Sequence, residues 1–203
     1  MNSIKCDGQE ISPSKIVCIG RNYADHIKEF DNDPSQAPVI FMKPNSAVAH
    51  EVYSSQDDVI HYEAEISFLV SAGELAAVGF GLDLTKRELQ YQLVEKGWPW
   101  ERAKAFDGSG VFSEFVSFAG DISALRMEFF INEVLTQHGS YDLMLNKPVQ
   151  MLNEVKGFIS LEDGDVLMTG TPVGVGPVNA GDRYHGKIFE NDRLIVEGVW
   201  VVK

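Results

Sequence analysis

Between Ile60 and Val70 the chain reads IHYEAEISFLV, with Ile60, Tyr62, Ala64, Ile66 and Phe68 at alternate positions. Period-two alternation predicts a strand that turns this apolar set to one face and His61, Glu63, Glu65 and Ser67 to the other. Short apolar runs at KIVCIG (15–20), VIFMKP (39–44) and LAAVGFGLDL (75–84) predict further strands, the second of them stopped by Pro44. TKRELQYQLVEKG (85–97) carries helix signals instead. Thr85 and Glu88 have capping-box spacing, Leu89 and Leu93 share a face, and Gly97 follows the last turn. RNYADHIKEF predicts a short helix and KPVQMLNEV (147–155) another. LRMEFFI and VLTQ flank a turn at Asn132-Glu133, and KIFE-ND-RLIVEGVWVV closes the chain as a hairpin. GDVLMTGTPVGVGP (164–177) reads as a strand entering a glycine-rich loop. Strands outnumber helices and do not alternate with them regularly. The expectation is one domain over residues 1–203, of α+β class, built on a mixed β-sheet with few short helices and not doubly wound.

Composition narrows the partners. The 203 residues include 30 acidic and 17 basic side chains, a formal charge of −13. No basic stretch offsets this, which argues against nucleic acid and anionic membranes. An anionic ligand would need cations gathered locally. No apolar run approaches the roughly 20 residues of a membrane span, and the polar start MNSIKCDGQEIS lacks a signal-peptide core. Cys6 and Cys18 build no disulfide framework, so the expected setting is the reducing cytoplasm, with both thiols in or near the core.

Glu63 and Glu65 are the first chemical oddity. Their Cα atoms would lie roughly 7 Å apart on one strand face, where like charges repel. A divalent cation would resolve the repulsion, with Asp83, at the end of the next strong strand, as the third carboxylate. An all-oxygen set favours Mg²⁺ or Mn²⁺ over Zn²⁺. The same E-x-E also fits the solvated face of an edge strand, and spacing alone does not choose. His61 is a fourth possible ligand or a packed histidine. His26 and Glu29 stand at i and i+3, where a carboxylate can orient an imidazole as a general base; such pairs also occur on surfaces. Arg21, Lys43 and Lys104 are scattered cations able to hold an anion or to sit on the surface. TGTPVGVGP lacks the Lys and Ser/Thr of a P-loop, leaving Thr171 in a plain turn or in a ligand-facing one. DNDPSQAP (31–38), polar and Pro-containing, suits a lid.

Six stretches in this order resemble the fumarylacetoacetate hydrolase family: GRNYADHIKE, VIFMKPNSAV, HYEAEISFLV, GFGLDLTKRELQ, GWPWERAKAFD and LEDGDVLMTGTPVGVGPV. The likeness is strongest to its small branch of acylpyruvate hydrolases and oxaloacetate decarboxylases. It implies a mixed β-sheet roll of the family's C-terminal-domain type with few short helices, one Mg²⁺ or Mn²⁺ per subunit on Glu63, Glu65 and Asp83, and His26 with Glu29 as the water-activating pair. It also implies catalytic Lys104, a pocket lined by Arg21, Lys43, Gln90 and Thr171, and a homodimer. Compared with the family, the Glu65–Asp83 connection is short and lacks a helix. The activity implied is hydrolysis of the C–C bond of a small 2,4-diketo acid through a metal-stabilised pyruvate enolate. Oxaloacetate decarboxylation, or isomerisation (tautomerisation) of a 2-oxo or 2-hydroxy acid, on the same site is the alternative. A non-catalytic divalent-cation-binding protein is the alternative of another class.

Overall fold

The structure, a computed structural model, describes residues 1–25, 38–55 and 58–203. The expected His26–Glu29 pair and residues 31–37 of the expected lid lie outside the described residues. The longer strands are β1 (Lys15–Gly20), β2 (Val39–Pro44), β3 (Ala64–Ser71), β4 (Glu74–Asp83), β5 (Gly110–Phe112), β6 (Leu125–Ile131), β7 (Val134–Ser140), β8 (Val166–Met168), β9 (Arg183–Glu190) and β10 (Arg193–Val201). The helices among the described residues include α1 (Arg87–Glu95), α2 (Glu101–Lys104) and α3 (Pro148–Lys156).

One sheet runs β2-β1-β8-β3-β4-β5 and ends on a short strand at Val48–Ala49. Its β1–β8 pairing is parallel while β8–β3 and β3–β4 are antiparallel, which makes it mixed. A second, antiparallel sheet runs β7-β6-β9-β10. The two sheets pack face to face. Ile66, Phe68, Phe80 and Leu82 from the first meet Met127, Phe129, Tyr184 and Trp200 from the second. Phe80 stacks on Phe129 with ring centroids 5.7 Å apart. Gly186 makes this approach possible, since a Cβ there would stand 2.3 Å from the Phe80 ring. On its other face, the first sheet receives Met151, Leu152 and Val155 of α3 against Val17, Val70 and Leu167. Both faces of β3 are therefore covered, and its residues from Ala64 to Val70 are all buried.

The alternation predicted for 60–70 holds, because Ile60, Tyr62, Ala64, Ile66 and Phe68 all join the core between the sheets. The segment is not one strand, however. Ile60–Tyr62 pairs with Gly176–Pro177 and Thr85–Lys86 in a small separate sheet, and the chain breaks at Glu63. The short Glu65–Asp83 connection is the tight β3–β4 hairpin turning at Ala72-Gly73. The turn at Asn132-Glu133 works without glycine, both residues taking positive φ of 49° and 70°. Among the described residues, no helix is long and apolar enough to cross a membrane.

One buried ion pair pins the start of β1 to the turn before β8. Asp165, with a fully buried side chain, accepts from the Ser14 amide at 2.9 Å, the Ser14 hydroxyl at 2.7 Å and Lys15 Nζ at 2.5 Å. Burial pushes its carboxyl up, but donation from Lys15, Glu162 and Ser14 outweighs this and holds it below the usual carboxylate range. A lowered folded value contributes stability above the unfolded pKa, lost as pH falls through the folded one. Asp165→Asn is therefore expected to cost about 3 kcal/mol at neutral pH and progressively less in acid. Urea unfolding of both proteins across that pH range checks it.

Candidate metal and anion site

The β3–β4 register builds the site. Ala64 pairs with Leu82 and Glu65 with Gly81, so the next pairing outward sets Glu63 against Asp83. The Asp83 amide donates to the Glu63 carbonyl at 2.8 Å and confirms the adjacency. Glu65 lies two residues along, on the same face. One carboxylate oxygen from each of Glu63, Glu65 and Asp83 falls within 4.8 Å of the others, and all three residues are buried. Glu65 and Asp83 lie at strand ends locked into the sheet, and Glu63, at the break before β3, is tied to Asp83 by that backbone hydrogen bond, so the cluster is held by backbone pairing.

Cations crowd the same spot. The Lys104 ammonium, only 1% exposed, donates to Glu63 Oε2 and Asp83 Oδ2, both at 2.8 Å, and to Thr85 Oγ1 at 2.7 Å. Lys43 Nζ forms an ion pair with Asp83 Oδ1 at 2.7 Å and donates to the Lys104 carbonyl. Arg87 pairs with Glu63 through one nitrogen and donates to Gln90 Oε1 at 2.7 Å through another. Three buried carboxylates thus face three buried cations. Burial pushes the Glu65 carboxyl well up, Asp83 and Glu63 add to that, and the Gly170 amide and Lys104 oppose it. The donor set is oxygen-only and hard. An octahedral Mg²⁺ with bonds of about 2.1 Å needs ligand oxygens at most about 4.2 Å apart, so a small inward turn of the carboxylates fits the cluster to Mg²⁺ or Mn²⁺.

The loop after β8 closes one side. The Gly170 amide donates to Glu65 Oε2 at 2.7 Å. Gly170 has a φ of +92°, and a Cβ there would stand 2.8 Å from the Ile19 carbonyl oxygen and 2.9 Å from Asn22 Cβ. Gly170→Ala is expected to cost about 1–3 kcal/mol from strain alone and to weaken divalent-cation binding by displacing Glu65. Calorimetric metal titration beside thermal unfolding separates the two effects. Thr171, 3% exposed, follows directly.

Arg21 stands farther out. It is half-buried at a strained φ of 58°, its guanidinium 5.9 Å from the Trp100 ring centroid. Trp100 packs on Phe41, and the Lys104 ammonium lies 5.2 Å over that Phe41 ring. An aromatic wall therefore links Arg21 to the carboxylates.

Among the expected site residues, Glu63, Glu65, Asp83, Lys43 and Lys104 converge. Gln90 joins through Arg87, and Thr171 through its neighbour Gly170. His61 is outside the oxygen cluster and half-buried; burial and Arg87 lower its imidazole, with Glu63 opposing them. Arg87 escaped the sequence reading. Its one signal there was the i,i+3 spacing to Gln90. The expected Thr85–Glu88 capping box does not form, because α1 begins at Arg87 with no side-chain cap. The Thr85 hydroxyl instead donates to the Asp83 carbonyl at 3.1 Å and accepts from Lys104.

The family model for the C-terminal part of fumarylacetoacetate (FAA) hydrolase matches residues 15–197. The chain belongs to the fumarylacetoacetate hydrolase family. Members of this family are enzymes with hydrolase and tautomerase activities. Among curated relatives, Escherichia coli oxaloacetate tautomerase YcgM is 36% identical over 84% of this chain and 86% of its own. The mitochondrial oxaloacetate tautomerase FMP41 of Saccharomyces cerevisiae is 32% identical over 90% of each. Among solved structures, fumarylpyruvate hydrolase from Pseudomonas aeruginosa in complex with Mn²⁺ and pyruvate superposes with a TM-score of 0.86. It is 28% identical and covers 100% of this chain and 96% of its own. The family fold and its small branch, expected from the six stretches, are those of this chain.

Proposed function

We propose that this protein is a divalent-cation-dependent oxaloacetate tautomerase, a single catalytic domain interconverting the enol and keto forms of a small 2-oxo dicarboxylate. One observation carries the reading: the buried triad Glu63, Glu65 and Asp83 is matched charge for charge by Lys43, Arg87 and Lys104. With all three carboxylates ionised around a divalent cation, the formal charges leave a surplus of two positive charges at a buried spot, which an enolised dicarboxylate complements. The curated relatives favour this reading, and the expectation of acylpyruvate hydrolysis yields first place to it.

Held by Glu63, Glu65 and Asp83, Mg²⁺ or Mn²⁺ would supply Lewis-acid stabilisation of negative charge on the 2-oxygen. Lys104, whose ammonium sits against Glu63 and Asp83, would donate to the same oxygen and keep its proton throughout. Arg87, braced by Gln90, and Arg21, above Trp100, receive carboxylates. Thr171 donates a further hydrogen bond. Tautomerisation moves one proton between the 2-oxygen and C3 without breaking a C–C bond, so it needs one proton carrier. His26, oriented by Glu29, takes that role.

Hydrolysis of fumarylpyruvate-like substrates is the second reading, favoured by the Pseudomonas neighbour. With malate dehydrogenase consuming only the keto form, the enzyme should accelerate NADH oxidation when enol-oxaloacetate is supplied. His26→Ala should slow it by about 10²–10⁴-fold. Pyruvate release from acetylpyruvate or fumarylpyruvate, with no acceleration of the oxaloacetate assay, would select hydrolysis instead.

A further inference from the structure

We propose that Gln137, on the second sheet, is a positioning residue that fixes the Thr171 hydroxyl as a hydrogen-bond donor to the substrate. This rests on the functional reading above. Gln137 is 1% exposed and lies on β7, where Phe129 pairs with Gln137 but Phe130 pairs with Leu135. Thr136 is thus the extra residue of a β-bulge, a device that re-aims a neighbouring side chain. Leu135 is 52% exposed, while Gln137 points inward across the sheet interface.

All of the Gln137 amide's partners serve one end. Its Oε1 accepts from the Ala64 amide at 3.1 Å. Its Nε2 donates to the Pro172 carbonyl at 2.9 Å and to Thr171 Oγ1 at 2.9 Å. The orientation of the amide is not ambiguous. A backbone N–H can only donate and a carbonyl can only accept, so Oε1 must face Ala64 and Nε2 must face Pro172. Thr171 Oγ1 is consequently an acceptor towards Gln137, and its own proton must point elsewhere. Thr171 is buried beside Gly170, whose amide holds Glu65. A proton directed away from Gln137 there serves an anion lying against the carboxylate cluster.

Gln137 also ties the strand of the carboxylates to the loop at a second point, beside the hydrogen bond from the Gly170 amide to Glu65. Ala64 separates Glu63 from Glu65, and Pro172 follows Thr171 in the loop. The chain lays a donor-oriented hydroxyl at a fixed offset from the carboxylates by using one amide from a different sheet. A Gly174 Cβ would stand 2.6 Å from the Thr136 carbonyl oxygen, so the loop is seated directly on the bulge.

The test is a double-mutant cycle of Gln137→Met, Thr171→Val and their combination. It reads KM and kcat for enol-oxaloacetate, together with calorimetric binding of oxalate, a planar dianion shaped like the enolate of a 2-oxo acid, in saturating Mg²⁺. Thr171→Val is expected to raise KM and weaken oxalate about tenfold, the worth of a hydrogen bond to a charged group. Gln137→Met should weaken oxalate binding by a similar factor with its Mg²⁺ affinity unchanged, and the double variant should be no worse than Thr171→Val. Factors that multiply, or a Gln137→Met protein that unfolds earlier but binds oxalate normally, would overturn the proposal. Should Gln137→Met fail to fold, Thr171→Ser decides. Its hydroxyl, still held by Gln137, should keep oxalate binding within about twofold of wild type, and a loss equal to that of Thr171→Val would contradict the role. If even the wild type leaves oxaloacetate untouched, the functional reading fails while the oxalate cycle still judges Gln137.

Discussion

Lys104→Met is expected to slow oxaloacetate tautomerisation by about 10²–10³-fold, the usual loss when a donor to a developing oxyanion is removed. The same substitution should destabilise the cation-free protein by about 3–5 kcal/mol, because Glu63 and Asp83 lose the ammonium that bridges them at 2.8 Å. The diagnostic part is what added metal does. A divalent cation supplies the counter-charge that the ammonium supplied, so Mn²⁺ should raise the melting temperature of Lys104→Met more than that of wild type, while turnover stays low. Burial alone would lower the Lys104 ammonium's pKa, but Asp83 and Glu63 outweigh it and raise the value. A raised folded pKa contributes stability that is complete below the unfolded value, about 10.4, and is lost as pH climbs through the folded one. The stability gap between variant and wild type should therefore stay constant through neutral pH and close only in strong alkali. Thermal unfolding with and without Mn²⁺ over that range measures both.

Asp83→Asn should behave in the opposite way towards metal. It removes a ligand from the triad and leaves Lys43, Lys104 and Arg87 facing two carboxylates, an uncompensated buried charge costing about 3 kcal/mol or more. Added Mn²⁺ should restore neither stability nor activity. Losing Lewis-acid stabilisation worth several kcal/mol lowers kcat/KM by about 10³-fold or more. The neutral amide preserves shape, so a fall of this size cannot be assigned to a cavity. A coupled assay at increasing Mn²⁺, beside a calorimetric titration, compares the pair of variants directly.

Much of this arrangement was legible along the chain. Glu63, Glu65 and Asp83 stand out as like charges on apolar strands, a pattern that a solvated edge also fits until the family resemblance is added, and their convergence follows from a tight hairpin in register. The closing β9–β10 hairpin and the turn at Asn132-Glu133 are local features, set by residues next to each other. What escaped depends on contacts between distant elements. The break at Glu63 comes from Ile60–Tyr62 pairing with Gly176–Pro177, over a hundred residues away. The capping-box motif failed because the Thr85 hydroxyl is drawn to Asp83 and Lys104, contacts that exist only once the sheet has formed. Arg87 reads as a surface helix residue until Glu63 is placed beside it. Gln137, closing the run VLTQ, reads as a strand residue until the second sheet turns it inward. His26 and Glu29, central to proton transfer in the proposal, are read from their i,i+3 spacing and from the family resemblance.

Anomalous diffraction at the manganese edge, from crystals grown with Mn²⁺, tests the carboxylate triad most directly. One peak per chain is expected, at coordination distance (about 2.1–2.2 Å) from an oxygen of each of Glu63, Glu65 and Asp83, with the Lys104 ammonium no longer bridging Glu63 to Asp83. A peak held by other residues, or no peak and Lys104 still spanning the two carboxylates in saturating Mn²⁺, would contradict the account.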